Sequence, residues 1–507
     1  MAGPAKFASS SNPGSRRRED RQPFSFRAAG EFSSTMTETS QDLLSGGIME
    51  TGSGLRARDF SIPELVAASL ERIASIGHLN SFIDVYADEA MKVANHHQGL
   101  LDAGYVFGPL HGIPIALKDN IDIAGKRTTA GSALLADNIA KQDATLTAAL
   151  KRAGAVIVGK NNLHEFAWGG TTINATYGNA RNPWNPEHSP AGSSGGSGAA
   201  VATRAVFASI GTDTGGSIRI PSSFNGVTGI RPSIGRVSNS GVFPLAWSLD
   251  TAGPLAKSAV DCAIVLQAIA GHDPNDRQSA RALVPDLYEQ IDLPLRGARL
   301  GLIEDYSRKA VQPDVRDAFD AATATFERLG AVIVPIRLSD LEALMDAMII
   351  IDAAEPSAIH APWLRERAVD YGADVRAQLE AGFVFSAVDY VQAQRYRAHI
   401  CHQFTEAFGL VDAILTPTIA YTAPRIGQLD VEIDGTMKNI LANNMQFTSL
   451  ASLTGLPAMS VPVGFDSSGL PIGLQIIGPA LGEDQVLRIG AGLQASLDCY
   501  RKAPPGF

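Results

Sequence analysis

The chain has 507 residues, of which 45% are apolar and 19% charged, with a net charge of −10. This composition excludes a wholly disordered chain, a coiled coil and a collagen-like fibre, and predicts a soluble globular protein of one large α/β domain or about three smaller ones. The negative sign repels polyanions, so no direct nucleic-acid partner is expected. Glycine is in excess, with 49 residues against about 7% in an average chain, and where it gathers is informative.

Residues 1–48 are rich in Ser, Gly and Arg without apolar periodicity, and read as a disordered N-terminal tail, or as an extension upstream of a functional start at Met36 or Met49. Arg16, Arg17 and Arg18 suggest an export signal, but Glu19, Asp20 and Arg21 follow where an apolar segment is required. The packed domain is expected over 55–505. Ser61 and Glu64 have capping-box spacing, and Val66, Leu70 and Ile73 then form a helical stripe.

Beyond that helix the chain alternates helix, glycine and β-branched strand. Residues 144–153, Gly154 and 155–158 are one instance, and 314–329, Gly330 and 331–334 another. Further strands are expected at 113–117, 207–210, 300–303, 413–415, 459–463 and 472–477. The fold class is therefore α/β, a single domain with a central mixed β-sheet covered by helices on both faces. Residues 340–408 read as a mainly helical insertion over the sheet, with Trp363, Tyr371, Phe383 and Phe385 among its apolar positions.

Apolar runs such as 155–158 and 347–351 are far shorter than the roughly 20 residues of a membrane helix, so no membrane partner is expected. Cys262, Cys401 and Cys499 are scattered and odd in number, which fits a reducing, cytoplasmic setting rather than a disulfide framework. His111 and His164 stand without a second ligand at metal spacing, so they read as structural, and neither metal nor cofactor is expected.

Glycine and serine concentrate in 189–198 (SPAGSSGGSG) and 211–221 (GTDTGGSIRIP). A phosphate loop would need the lysine of GxxxxGK[ST], which is missing. Gly192 to Gly196 formally matches a GxSxG elbow around Ser194, but that arrangement needs a downstream histidine and the last one is His402. The remaining use is a serine nucleophile with a lysine base. Lys118 ends the apolar run 113–117, and burial there would lower a pKa that is otherwise about 10.4. Glycines at 215 and 216 let the amides of Thr214, Gly215, Gly216 and Ser217 turn together toward a substrate oxygen, as an oxyanion hole requires.

Together these residues resemble the amidase signature family, whose members hydrolyse amides with a Ser-Ser-Lys triad. The resemblance runs from about 55 to 500 and includes Lys118-Asp119, 162–167 (NLHEFA), 182–184 (NPW), both glycine-serine blocks, 455–464 (GLPAMSVPVG) and 469–478 (GLPIGLQIIG). The spacings, 193 − 118 = 75 and 217 − 193 = 24, fit the family pattern. The resemblance implies Ser217 as nucleophile, Ser193 as bridging serine after a cis peptide from Gly192, and Lys118 as base. Asp213 and Arg219, which bracket the nucleophile, read as an ion pair that fixes the turn.

It also implies an amidase that cleaves a carboxylic amide C–N bond through an acyl-enzyme and releases ammonia or an amine. Carboxamides, anilides and carbamates all stay open as the small-molecule substrate. Ala167 and Trp168 correspond to pocket-wall positions, with core packing the other reading of Trp168. The alternative is the glutaminase-type subunit of an aspartyl/glutamyl-tRNA amidotransferase, which holds the glutamine amino group with an aspartate. Met445 falls at that aspartate position, a departure that favours a stand-alone amidase. Homodimers are common in the family.

Overall fold

Ser61 does what its spacing to Glu64 predicts. Its hydroxyl accepts the Glu64 amide at 3.3 Å while the Glu64 carboxylate accepts the Ser61 amide at 2.7 Å, opening the helix Ile62–Ser75 with Val66, Leu70 and Ile73 buried. The structure, a computed structural model, describes residues 43–507. Residues 1–42, most of the expected tail, lie outside the described residues. Packing starts ahead of residue 55, because Leu44, Ile48 and Leu55 join the core through the helix Ile48–Ala57.

Thirteen strands follow: β1 (Phe82–Val85), β2 (Pro114–Lys118), β3 (Val156–Asn161), β4 (Ala208–Asp213), β5 (Thr228–Arg231), β6 (Thr251–Ala256), β7 (Arg299–Ile303), β8 (Val332–Ile336), β9 (Ala413–Pro417), β10 (Asp430–Ile433), β11 (Thr436–Asn439), β12 (Ala458–Phe465) and β13 (Pro471–Ile477). Eleven of them make one sheet, ordered β1-β3-β2-β4-β6-β5-β12-β13-β9-β7-β8, and β10 and β11 form a separate hairpin. β2 pairs in parallel with β3 and β4, whereas β4–β6, β5–β6, β5–β12 and β12–β13 are antiparallel, so the sheet is mixed as expected. Every residue of β2, β4, β6, β9 and β13 is buried, which requires cover on both faces.

The predicted strands all form, with ends displaced by up to three residues. β1, β5, β6 and the hairpin strands β10 and β11 add to them. β6 reads TAGPLA, poor in β-branched residues and with Pro254 arguing against an interior strand, and β5 reads TGIR, only four residues long and interrupted by Gly229. Tertiary pairing makes them strands nonetheless.

The 340–408 stretch is helical as expected, in Leu344–Arg367, Ala373–Ala381 and Ala387–Ala407. It packs onto the sheet through Leu344, Met348, Ile351, Ile400 and Phe404. Tyr371 is buried, but Phe383 is 56% exposed and is not a core residue. Its side chain turns to solvent, whereas Phe385 in the same link between two helices packs against the cluster of Phe166 and Tyr371. Among the described residues no helix is long and apolar enough to cross a membrane.

Candidate active site

Three elements deliver the expected residues to one place. β2 ends in Lys118, the turn after β4 carries Thr214 to Ser217, and the loop before the helix Gly195–Ala202 carries Ser193. Because β2 and β4 run in parallel, with Leu117 opposite Ile210, Lys118 lies alongside the end of β4. Its ammonium donates to Ser193 Oγ at 2.7 Å and to Thr212 Oγ1 at 2.8 Å. Lys118 and Ser193 are fully buried. Burial lowers the Lys118 pKa to about 7, against a smaller upward pull from Asp213 and Asp250. The Gly192–Ser193 peptide is cis.

Ser217 itself is half-buried and lines a pocket with Gly215, Gly216, Ala167, Trp168 and Met445. Its carbonyl accepts the Ser194 amide at 3.3 Å, which ties the two glycine-serine blocks together. Trp168 satisfies both readings, since it lines the pocket and also packs with Phe166, Leu245 and Tyr371.

The glycines at 215 and 216 are required by space. A Cβ on Gly215 would collide with Met445 Sδ, and one on Gly216, at φ +136°, would sit 2.6 Å from Thr448 Oγ1. That same Thr448 hydroxyl donates to the Gly215 carbonyl at 2.6 Å. In a trans peptide the Gly216 N–H then points the opposite way, away from Thr448.

The turn is braced from below, where Asp213 and Arg219 form the expected ion pair. Arg219 Nε reaches Asp213 Oδ2 at 3.0 Å and Nη2 reaches Oδ1 at 2.8 Å. Arg231 Nη1 adds a contact to Oδ1 at 3.1 Å, and the Ile218 amide donates to Oδ2 at 3.1 Å. Burial alone would raise the Asp213 carboxyl, but the two guanidinium groups hold it well below the usual carboxylate range. All three side chains are fully buried. Removing the carboxylate in Asp213→Ala leaves two buried cations without their anion, and is expected to cost about 3–5 kcal/mol, read as a lowered urea midpoint at unchanged slope.

Several neighbours were not singled out from sequence. Thr212 positions Lys118. Asp250 accepts the Thr214 hydroxyl at 2.5 Å and the Leu245 amide at 2.8 Å, and burial raises its pKa to about 6. Asp352, Gln378 and Asn444 line the pocket. Thr212 lies inside the quoted GTDTGG block, and Asp352 ends the apolar run 347–351, a local signal that could have been followed.

Asp119, His111 and His164 are engaged elsewhere. Asp119 pairs with Lys160 at 2.9 Å, His111 packs against His97 with centroids 5.0 Å apart, and His164 Nε2 is 2.9 Å from Asp374. Among the described residues no group of three or more His, Cys, Asp or Glu is placed to hold a metal.

The Amidase family model matches residues 64–487, and the chain belongs to that family, the amidase signature enzymes. It is 39% identical over 482 residues to the A subunit of the glutamyl-tRNA(Gln) amidotransferase of Thermosynechococcus vestitus, covering 90% of this chain and 99% of that one. Further relatives at 37–39% identity carry the same name. A solved structure described as a vestigial protein complex that reveals the origins of an s-triazine catabolic enzyme superposes with a TM-score of 0.86. It is 33% identical and covers 89% of this chain and 98% of its own. The peptide amidase of Stenotrophomonas maltophilia gives a TM-score of 0.77 at 30% identity, covering 91% and 98%.

Proposed function

We propose that this chain is a serine amidohydrolase whose acyl-enzyme forms on Ser217, with Ser193 relaying the proton to Lys118. The observation that carries the reading is the 2.7 Å contact between Ser193 and a fully buried lysine whose pKa is about 7. A lysine held that far below its ordinary value has a neutral fraction near pH 7 that can accept a proton. Ser217 Oγ attacks the amide carbon while its proton passes to Ser193 Oγ and the Ser193 proton passes to Lys118. Negative charge on the carbonyl oxygen is met by the amides of Thr214, Gly215, Gly216 and Ser217, donors held in place by the Thr448 and Asp250 contacts. The C–N bond then breaks as the relay returns a proton to the departing amine or ammonia, and water hydrolyses the ester in the second half-reaction.

On the substrate, the pocket favours an amidase that works by itself on a small carboxamide, anilide or carbamate. Free glutamine carries a carboxylate, yet the described lining residues include no Lys or Arg to meet it. The names of the curated relatives support a second reading more than this one, a glutaminase component that supplies ammonia within a tRNA-dependent amidotransferase. The three free cysteines suit a cytoplasmic site of action under either reading.

Purified alone, the chain is expected to release ammonia or amine from a panel of primary amides, anilides and aryl carbamates, faster than from L-glutamine. Glutamine as the sole substrate, with rates that rise only when the other components of an amidotransferase are added, would establish the second reading. The mass of the purified particle tells a homodimer from a single chain that awaits partners.

A further inference from the structure

We infer that Asp352 is a specificity-determining carboxylate, which selects amides whose body carries a protonated amine. Asp352 lines the same pocket as Ser217 and is 7% exposed, and its Oδ1 is buried without a hydrogen-bond partner. A carboxylate oxygen left unpaired inside a protein is unusual enough to require a reason.

A structural role does not supply one. Glu355, one turn along the same helix, is fully engaged. It accepts the Ser248 amide at 2.9 Å, the Ser248 hydroxyl at 2.6 Å and the Tyr390 hydroxyl at 2.9 Å. Asp352 has no such set, and the charged groups that act on it, Asp250 and Glu355, are themselves acidic. Burial and those two neighbours push its pKa well above the usual carboxylate range.

A second unmatched acceptor lies on the same wall. Asn444, 8% exposed and on the same pocket wall, also has a buried Oδ1 without a partner. A pocket wall with two unmatched side-chain acceptors and no lining cation is complementary to an ammonium, which offers three N–H donors and whose charge, once bound, favours the ionised form of Asp352 against its burial.

The inference rests on the reading of Ser217 as nucleophile, and holds whether the chain acts alone or in a complex. Its test uses β-alaninamide and butyramide, isosteres that differ by an ammonium in place of a methyl, as competitors that protect Ser217 from a fluorophosphonate. Glycinamide and propionamide repeat the comparison one carbon shorter. In the wild-type chain the ammonium member of at least one pair is expected to protect at a concentration about tenfold lower or less than its isostere, the size of one buried charge-assisted contact. In Asp352→Asn that ratio should fall to within about twofold. Equal protection in the wild type, or a variant in which both competitors weaken together and the ratio persists, overturns the role of Asp352. Wild-type protein that the fluorophosphonate does not label at all overturns the nucleophile reading and this inference with it, so the two failures are told apart.

Discussion

Ser217→Ala is expected to lower kcat by a factor on the order of 10⁶, the usual consequence of deleting a serine nucleophile, and to abolish covalent labelling by a fluorophosphonate. The choice of Ser217 over its neighbours follows from access. Ser193 and Ser194 are fully buried, and each is committed to contacts inside the protein, Ser193 with Lys118 and Ser194 with the Thr212 carbonyl at 3.3 Å. Ser217 is half-buried and faces the pocket. Rapid labelling with a stoichiometry of one in the wild-type chain, lost in Ser217→Ala and retained in Ser194→Ala, is the expected pattern. Labelling at full rate in Ser217→Ala would remove Ser217 from the mechanism.

Lys118→Ala should lose about 10²- to 10⁴-fold in kcat/KM across pH 6–9, the range usual for a positioned base. The sign of the pH dependence follows from burial. Desolvation disfavours the cation, so the folded protein holds Lys118 at about 7 instead of its ordinary value near 10.5. Below pH 7 it is protonated and cannot accept the relayed proton. Above pH 7 it is neutral and active. The wild-type profile of kcat/KM should therefore rise with a midpoint near 7, and that limb should be missing from the residual activity of the variant. Equal rates in the two proteins would exclude the lysine.

The catalytic candidates were readable from the chain because each sits in a short motif with its own chemistry. Lys118 closes an apolar strand, and Ser193 and Ser217 lie in glycine-rich turns whose small residues leave space at 215 and 216. Strands rich in Val and Ile were equally legible. β6 was not, since its Gly, Pro and Ala carry little local preference, and β5 is too short and glycine-interrupted to stand out; pairing with β4 and β12 makes them strands. Part of the pocket wall escaped for a related reason. Ala167, Trp168 and Met445 were expected there, but Gln378 and Asn444 come from segments far apart in sequence, and no local pattern reports that the fold will bring them to Ser217. In the two glycine-serine blocks the glycines mark crowded positions, as at Gly192, Gly195, Gly196, Gly215 and Gly216.

The contacts of Arg219 also govern the order in which the chain can assemble. Its guanidinium reaches the Thr448 carbonyl, Ser452 Oγ and Gln475 Oε1, the last from 256 residues away. β5 likewise finds its outer neighbour only in β12. During synthesis Asp213 can pair with this arginine early, but its Thr448, Ser452 and Gln475 partners are absent until almost the whole polypeptide has left the ribosome. Loop closure of that length slows folding, so the nucleophile is set in place late, among the last parts of the molecule to become competent. A nascent or C-terminally truncated chain would carry every residue of the Lys118, Ser193 and Ser217 set and still lack a working site.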